Sequence, residues 1–119
     1  MNLQAFVERI RNRPDFPRAG MILVHNGVVR ETARDGRRVR SLRVAVDRER
    51  LALLLERQRC RPGILDVQVE IAEGRELAVG EDVMLLAVAG DVRENVIAVL
   101  AETLELIKTT ITHKVETFV

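Results

Sequence analysis

The 119-residue sequence contains no tryptophan, no tyrosine and only three phenylalanines. Platforms for base stacking are therefore nearly absent, which argues against single-stranded nucleic-acid binding and predicts a core of Leu, Val and Ile. Long apolar runs are missing too. The longest, Val83 to Ala89, spans seven residues, far below the ~18 that a membrane helix needs, and Glu8 and Arg9 interrupt any signal-peptide core. The expectation is a cytoplasmic protein with neither membrane nor nucleic acid as partner. A single cysteine, Cys60, excludes an internal disulfide and cannot by itself build a structural zinc site. Its place between Arg59 and Arg61 at a helix end would activate an exposed thiol, but a small buried hydrophobe is the expected role.

Chemical signatures are equally sparse. There is no GxxxxGK[ST], GxGxxG, HExxH or CxxC, so no nucleotide or metal motif is present. With only His25 and His113 available, and no cysteine near either, no metal and no cofactor is assigned. Lysine is scarce: of nineteen basic residues only Lys108 and Lys114 are lysines, which makes them the only side-chain amines for nucleophilic or acid–base work.

What is present is arginine, unevenly placed. Residues 30–61 hold eleven arginines against five acids, whereas residues 62–119 hold eleven acids against four bases, under a net charge of +1. Such halves mark either an anion-binding surface or two faces that meet within the fold or across a two-fold dimer interface, while most of these arginines are expected to form a solvated face. At this length one domain, residues 1–119, burying roughly two thirds of its unfolded surface, is expected.

Leu3, Phe6, Val7 and Ile10 space out a short amphipathic helix stopped by Pro14 and Pro17. A strand from Met21 runs into His25-Asn26-Gly27-Val28-Val29, and Asp35-Gly36 marks a turn. Leu42, Val44 and Val46 share one face of the next strand, and Asp47 caps a helix with a Leu51, Leu54, Leu55 stripe that Pro62-Gly63 ends. Leu65 to Ile71 alternates with Asp66, Gln68 and Glu70 as in a sheet covered on one side, and Val83 to Ala89 reads as a strand buried on both. Asp91 and Glu94 form a capping-box pattern ahead of a helix with a Val96, Ile97, Leu100, Leu104, Ile107 stripe, ending near Lys108. Thr109 to Val119 predicts a last strand, with Lys114 and Glu116 opposite His113 and Val115. The fold class is α+β. Arg93 in the long helix's first turn and Arg30 at a strand exit are the candidate anion ligands.

In this order the segments HNGVVR (25–30), LAVGEDVMLLAVAG (77–90), DVRENVIAVL (91–100) and LIKTTITHKVE (106–116) resemble the large catalytic subunit of molybdopterin synthase, the MoaE family, over nearly the whole chain from Gly20. Family histidines are replaced: Val92 precedes Arg93, and Ala72-Glu73 stands where a second His-Arg pair would be. The resemblance implies a compact α/β-hammerhead fold and a homodimer within a heterotetramer. It implies a ubiquitin-like sulfur-carrier partner whose C-terminal Gly-Gly thiocarboxylate donates sulfur to a pterin phosphate, cyclic pyranopterin monophosphate, forming the molybdopterin dithiolene. Lys108 and Lys114 are then the catalytic candidates, and Arg30 and Arg93 the substrate ligands. Because motif residues are altered, the alternative is a dimeric scaffold that binds the carrier without turnover.

Overall fold

The computed structural model describes residues 1–119 and contains α1 (Leu3–Arg11), β1 (Met21–Val28), β2 (Val39–Val46), α2 (Arg48–Arg59), β3 (Ile64–Ile71), β4 (Leu77–Ala78), β5 (Asp82–Gly90), α3 (Arg93–Leu106) and β6 (Thr112–Phe118). The strands form two antiparallel three-stranded sheets, ordered β1-β5-β3 and β4-β2-β6. This is the α+β class expected. No helix is long and apolar enough to cross a membrane.

β5 is central in its sheet and apolar at each position from Val83 to Ala89, because both of its faces are covered. Leu86 and Val88 join Val67 of β3, Leu51 and Leu54 of α2, and Val96 and Val99 of α3 in the main core. Leu85, Ala87 and Ala89 point the other way, against Phe6 and Ile10 of α1. The small alanines let this short helix lie close, and Asn2 caps it by accepting a hydrogen bond from the Ala5 amide at 3.0 Å.

That placement corrects the expectation that β3 is covered on one side only. A register shift between Ile64 and Asp66 turns Leu65 toward α1, and Asp66 is buried, 1% exposed. Its carboxylate lies 3.5 Å from Arg13 and 3.2 Å from Arg59, and accepts from the Val67 amide at 2.9 Å and from Gln68 at 3.0 Å. Alternation marks which side chains share a face, and the helix that covers the polar face comes from 55 residues upstream by chain number, beyond what a local pattern reports.

α2 follows the sequence reading. Asp47 caps it through the Arg50 amide at 3.1 Å, and Gly63, at φ +77°, makes the turn after its end. Cys60 is exposed at the C-cap, not buried as expected, since the helix's core stripe of Leu51, Leu54 and Gln58 has already turned it outward.

α3 departs in two ways. Val92 occupies the N-cap, so Asp91 and Glu94 do not form a capping box; the Asp91 carboxylate instead accepts from the Val92 amide at 2.6 Å and from the Asn95 side chain at 2.9 Å. The buried stripe is Val96, Val99, Thr103 and Ile107, while Ile97 is 51% exposed. At its other end the helix widens into a π-helical turn, Ile107–Ile111, before β6 begins at Thr112. The β-branched run Thr109-Thr110-Ile111 disfavours regular α-helix, and the Thr109 and Thr110 hydroxyls donate back to the Glu105 and Leu106 carbonyls at 2.9 and 2.6 Å.

Candidate functional site

Where the two sheets approach, the inner face of β2 and β6, the ends of β1 and β5, and the segment 29–35 enclose a cavity of about 790 Å³. Its floor is aliphatic, with Val29, Leu42, Val44 and Ile71 among its residues, and its wall carries Arg30, Arg34, Lys108 and Lys114. β6 pairs antiparallel with β2, Lys114 opposite Val44 and Glu116 opposite Leu42, which places both charged side chains on the cavity face and leaves His113 and Val115 on the other. The facing predicted for β6 is therefore observed. The π-turn sets Lys108 at the same opening.

The balance of charge is uneven. None of the four cations is engaged in an ion pair, and only two carboxylates, Asp35 and Glu116, line the cavity. Asp35 is already held by Arg37 at 2.7 Å, and Arg37 stacks over the Phe118 ring at 3.8 Å. The Arg30 Nε donates to the Thr32 carbonyl at 2.8 Å, which tethers that guanidinium at the cavity edge. A hollow with an apolar floor and surplus positive charge suits an amphiphilic anion.

Electrostatics separate the two lysines. Burial, and then the nearby charge of Lys108 and that of Arg34, hold the Lys114 ammonium below the ordinary lysine range, with Glu116 opposing in part. Sequence reasoning favoured Lys108 as the reactive amine; the surroundings single out Lys114 as the one pushed toward its neutral form. His25 also titrates low, because it is partly buried and near Lys108.

Arg93 is not brought to this site. It sits in the first turn of α3, its side chain 79% exposed and 3.4 Å from Glu94, and does not line the cavity. The helix start expected to offer amides to an anion carries the Asp91 carboxylate, which already accepts from the Val92 amide and is held below the usual carboxylate range by the Asn95 side chain and then by that bond. Convergence of Arg30 and Arg93 within one chain is thus corrected. Of the altered positions, Val92 is the exposed N-cap of α3, Ala72 packs against the core and Glu73 pairs with Arg48.

Sequence reasoning missed His25 and Arg34, both of which line the cavity. The signal for His25 was available: in β1 it falls on the inward face with Met21 and Leu23, where a polar ring needs a reason. No group of three or more His, Cys, Asp or Glu is gathered to hold a metal ion.

Comparison with known proteins places the fold. The family described as MoaE protein matches residues 1–110. Among solved structures, a molybdopterin synthase from Staphylococcus aureus superimposes with a TM-score of 0.80 at 19% identity, covering 100% of this chain and 86% of that one. A molybdopterin cofactor biosynthesis protein E from Burkholderia multivorans gives 0.78 at 24% identity, covering 100% and 82%. A complex of subunits 1 and 2 of molybdopterin-converting factor from Helicobacter pylori gives 0.77 at 15% identity, covering 99% and 80%. At these identities the likeness is one of fold. No curated protein matches the sequence.

Proposed function

The chain belongs to the MoaE protein family, and on that premise we propose that, within molybdenum cofactor biosynthesis, it is a sulfurtransferase subunit acting with a small carrier protein. The carrier's C-terminal thiocarboxylate enters the cavity and its sulfur adds to an electrophilic carbonyl carbon of a phosphate-bearing pterin, the C=O π pair moving to the oxygen, which takes a proton and later leaves as water. Water then cleaves the acyl–sulfur bond, leaving the carrier as a carboxylate and the sulfur on the product. That hydrolysis releases a proton, for which an amine held below the ordinary lysine range is a suitable acceptor.

The observation that carries this reading is the meeting of Arg30, Lys108 and Lys114 around one apolar-floored cavity, none of them engaged in an ion pair. Arg30 supplies a fixed fork for phosphate. Lys108 is the amine placed to meet the reacting atoms, and Lys114, which burial and then the charge of Lys108 push toward its neutral form, is the proton acceptor. The Helicobacter pylori complex contains two different subunits, which supports a small-subunit partner here. A homodimer within a heterotetramer belongs to the same proposal, and Arg93, exposed on α3, has a place in the site only if a second copy presents it there.

The test is reconstitution with a thiocarboxylated carrier and the pterin precursor, scored for dithiolene formation. Lys108→Arg keeps the charge and removes the titratable amine, and should lower turnover by about 10²-fold or more while carrier binding persists. Equal turnover in the parent and Lys108→Arg would overturn that assignment, and carrier binding without turnover in either would favour the scaffold reading.

A further inference from the structure

Among the cavity residues, His25 is a titratable ring set at an inward position of a strand. β1 turns Met21, Leu23 and His25 toward the main core, so the first two pack as apolar side chains and the third puts an imidazole at an inward position. Gly27, two residues on and on the same face, leaves space above it: a Cβ there would stand 3.3 Å from His25 Nε2. The ring thus lies over the bare backbone of Gly27 at the cavity wall, the only aromatic ring among the lining residues.

Every charged group around it is accounted for by element. The π-turn contributes Lys108, β6 contributes Lys114 and Glu116, and the segment after β1 contributes Arg30, Arg34 and Asp35; β5 lines the cavity there with Val83 and Met84, which do not titrate. Cations outnumber carboxylates, so in the free protein a proton on His25 is opposed both by burial and by Lys108. An anion that enters the cavity offsets this local field.

We propose that His25 is a further ligand-contacting residue of this cavity, taking up a proton from solvent as an oxyanion binds and donating an N–H to it. The inference rests on the anion-binding reading of the cavity above. Linkage makes it quantitative: if anion raises proton affinity at His25, protonation raises anion affinity by the same factor. The cavity then discriminates between ligands by charge more sharply in mild acid than at neutral pH, and His25 determines that difference.

Inorganic sulfate is the probe, because it stays doubly ionised while the protein titrates. Imidazole NMR resonances of the full chain are followed from about pH 8 to about pH 5, at constant ionic strength, with and without sulfate. His113, on the opposite face of β6, serves as internal reference. The expected result is that sulfate moves the His25 titration upward and leaves His113 in place. Sulfate affinity should also rise on the order of tenfold across that range, a gain that His25→Gln abolishes. An unmoved His25 titration, or a pH gain that persists in His25→Gln, overturns the proposal; if sulfate binding is nonetheless seen and is weakened by Arg30→Gln, the anion-binding reading stands without it. Absence of sulfate binding at both ends of the range overturns both.

Discussion

Two charged regions of this molecule use the same side chains to opposite ends. On the outer face of β3, Asp66 and Glu70 meet Arg13, Arg59 and Arg9. In the cavity, Arg30, Arg34, Lys108 and Lys114 face two carboxylates, one of which Arg37 already holds. The first arrangement is closed: each buried charge finds its partner, and α1 is fastened to the sheet. The second is open, and an open set of like charges costs stability unless something outside the chain completes it. The difference shows that arginine content by itself says little about function; what matters is whether the fold supplies the counter-charge.

The comparison can be broken most severely at Asp66. Asp66→Ala leaves Arg13 and Arg59 without their buried acceptor, and should cost about 3 kcal/mol in urea unfolding; a loss below about 1 kcal/mol would mean that the closed region is not structurally needed. In the open region the sign reverses. Lys114→Met should raise stability by about 0.5 kcal/mol, a small gain because the ammonium still reaches solvent, and should abolish turnover. The pH dependence follows from the same cause. A lysine held below its ordinary range costs stability while charged, so this penalty lifts as pH rises through its folded value toward the ordinary ~10.4, and Lys114→Met should flatten that alkaline gain.

His25 sharpens the contrast from the acid side. Its folded-state proton affinity is depressed, so the unfolded chain takes up the proton first, and stability is lost as pH falls below the ordinary ~6.5 toward the folded value. Thermal unfolding at successive pH values should show this loss reduced in His25→Gln. The smallest effect belongs to the exposed pair Arg9 and Glu70, 3.0 Å apart on the rim of the closed region. Arg9→Ala should change stability by about 0.3 kcal/mol, and less at high salt.

Much of the fold was legible because the signals were local. The uninterrupted Val83–Ala89 run marked the central strand, Asp47 and Pro62-Gly63 bounded α2, and alternation set Lys114 and Glu116 on one face. The site was legible in part: Arg30, Lys108 and Lys114 come together, while Arg93 does not. What escaped depended on distant chain. Asp66 looked solvated because the residues that bury it, Arg13 and α1, lie far upstream. Asp91 is the exception, missed for a local reason: its carboxylate turns to the Val92 amide and the Asn95 side chain, and Val92 takes the N-cap. For His25 half of the signal was local, since alternation along β1 sets it on the face of Met21 and Leu23, and the pairing of β1 with β5 supplies the other half by turning that face inward.

The π-turn at Ile107–Ile111 has a bearing on how this chain can vary. Side chains on β6 alternate with a period of two, so whichever residue enters the strand first decides the parity of all that follow. The wide turn takes up the residues between a helix locked by Ile107 and a strand locked to β2, and keeps Lys114 in phase with Lys108. If the turn keeps its shape, removing one residue from it slides β6 by one against β2, presenting His113 and Val115 to the cavity and sending Lys114 and Glu116 out to solvent. The segment therefore tolerates exchange of side chains far better than any change of length, and losing a single codon there would switch the site off as completely as losing both lysines.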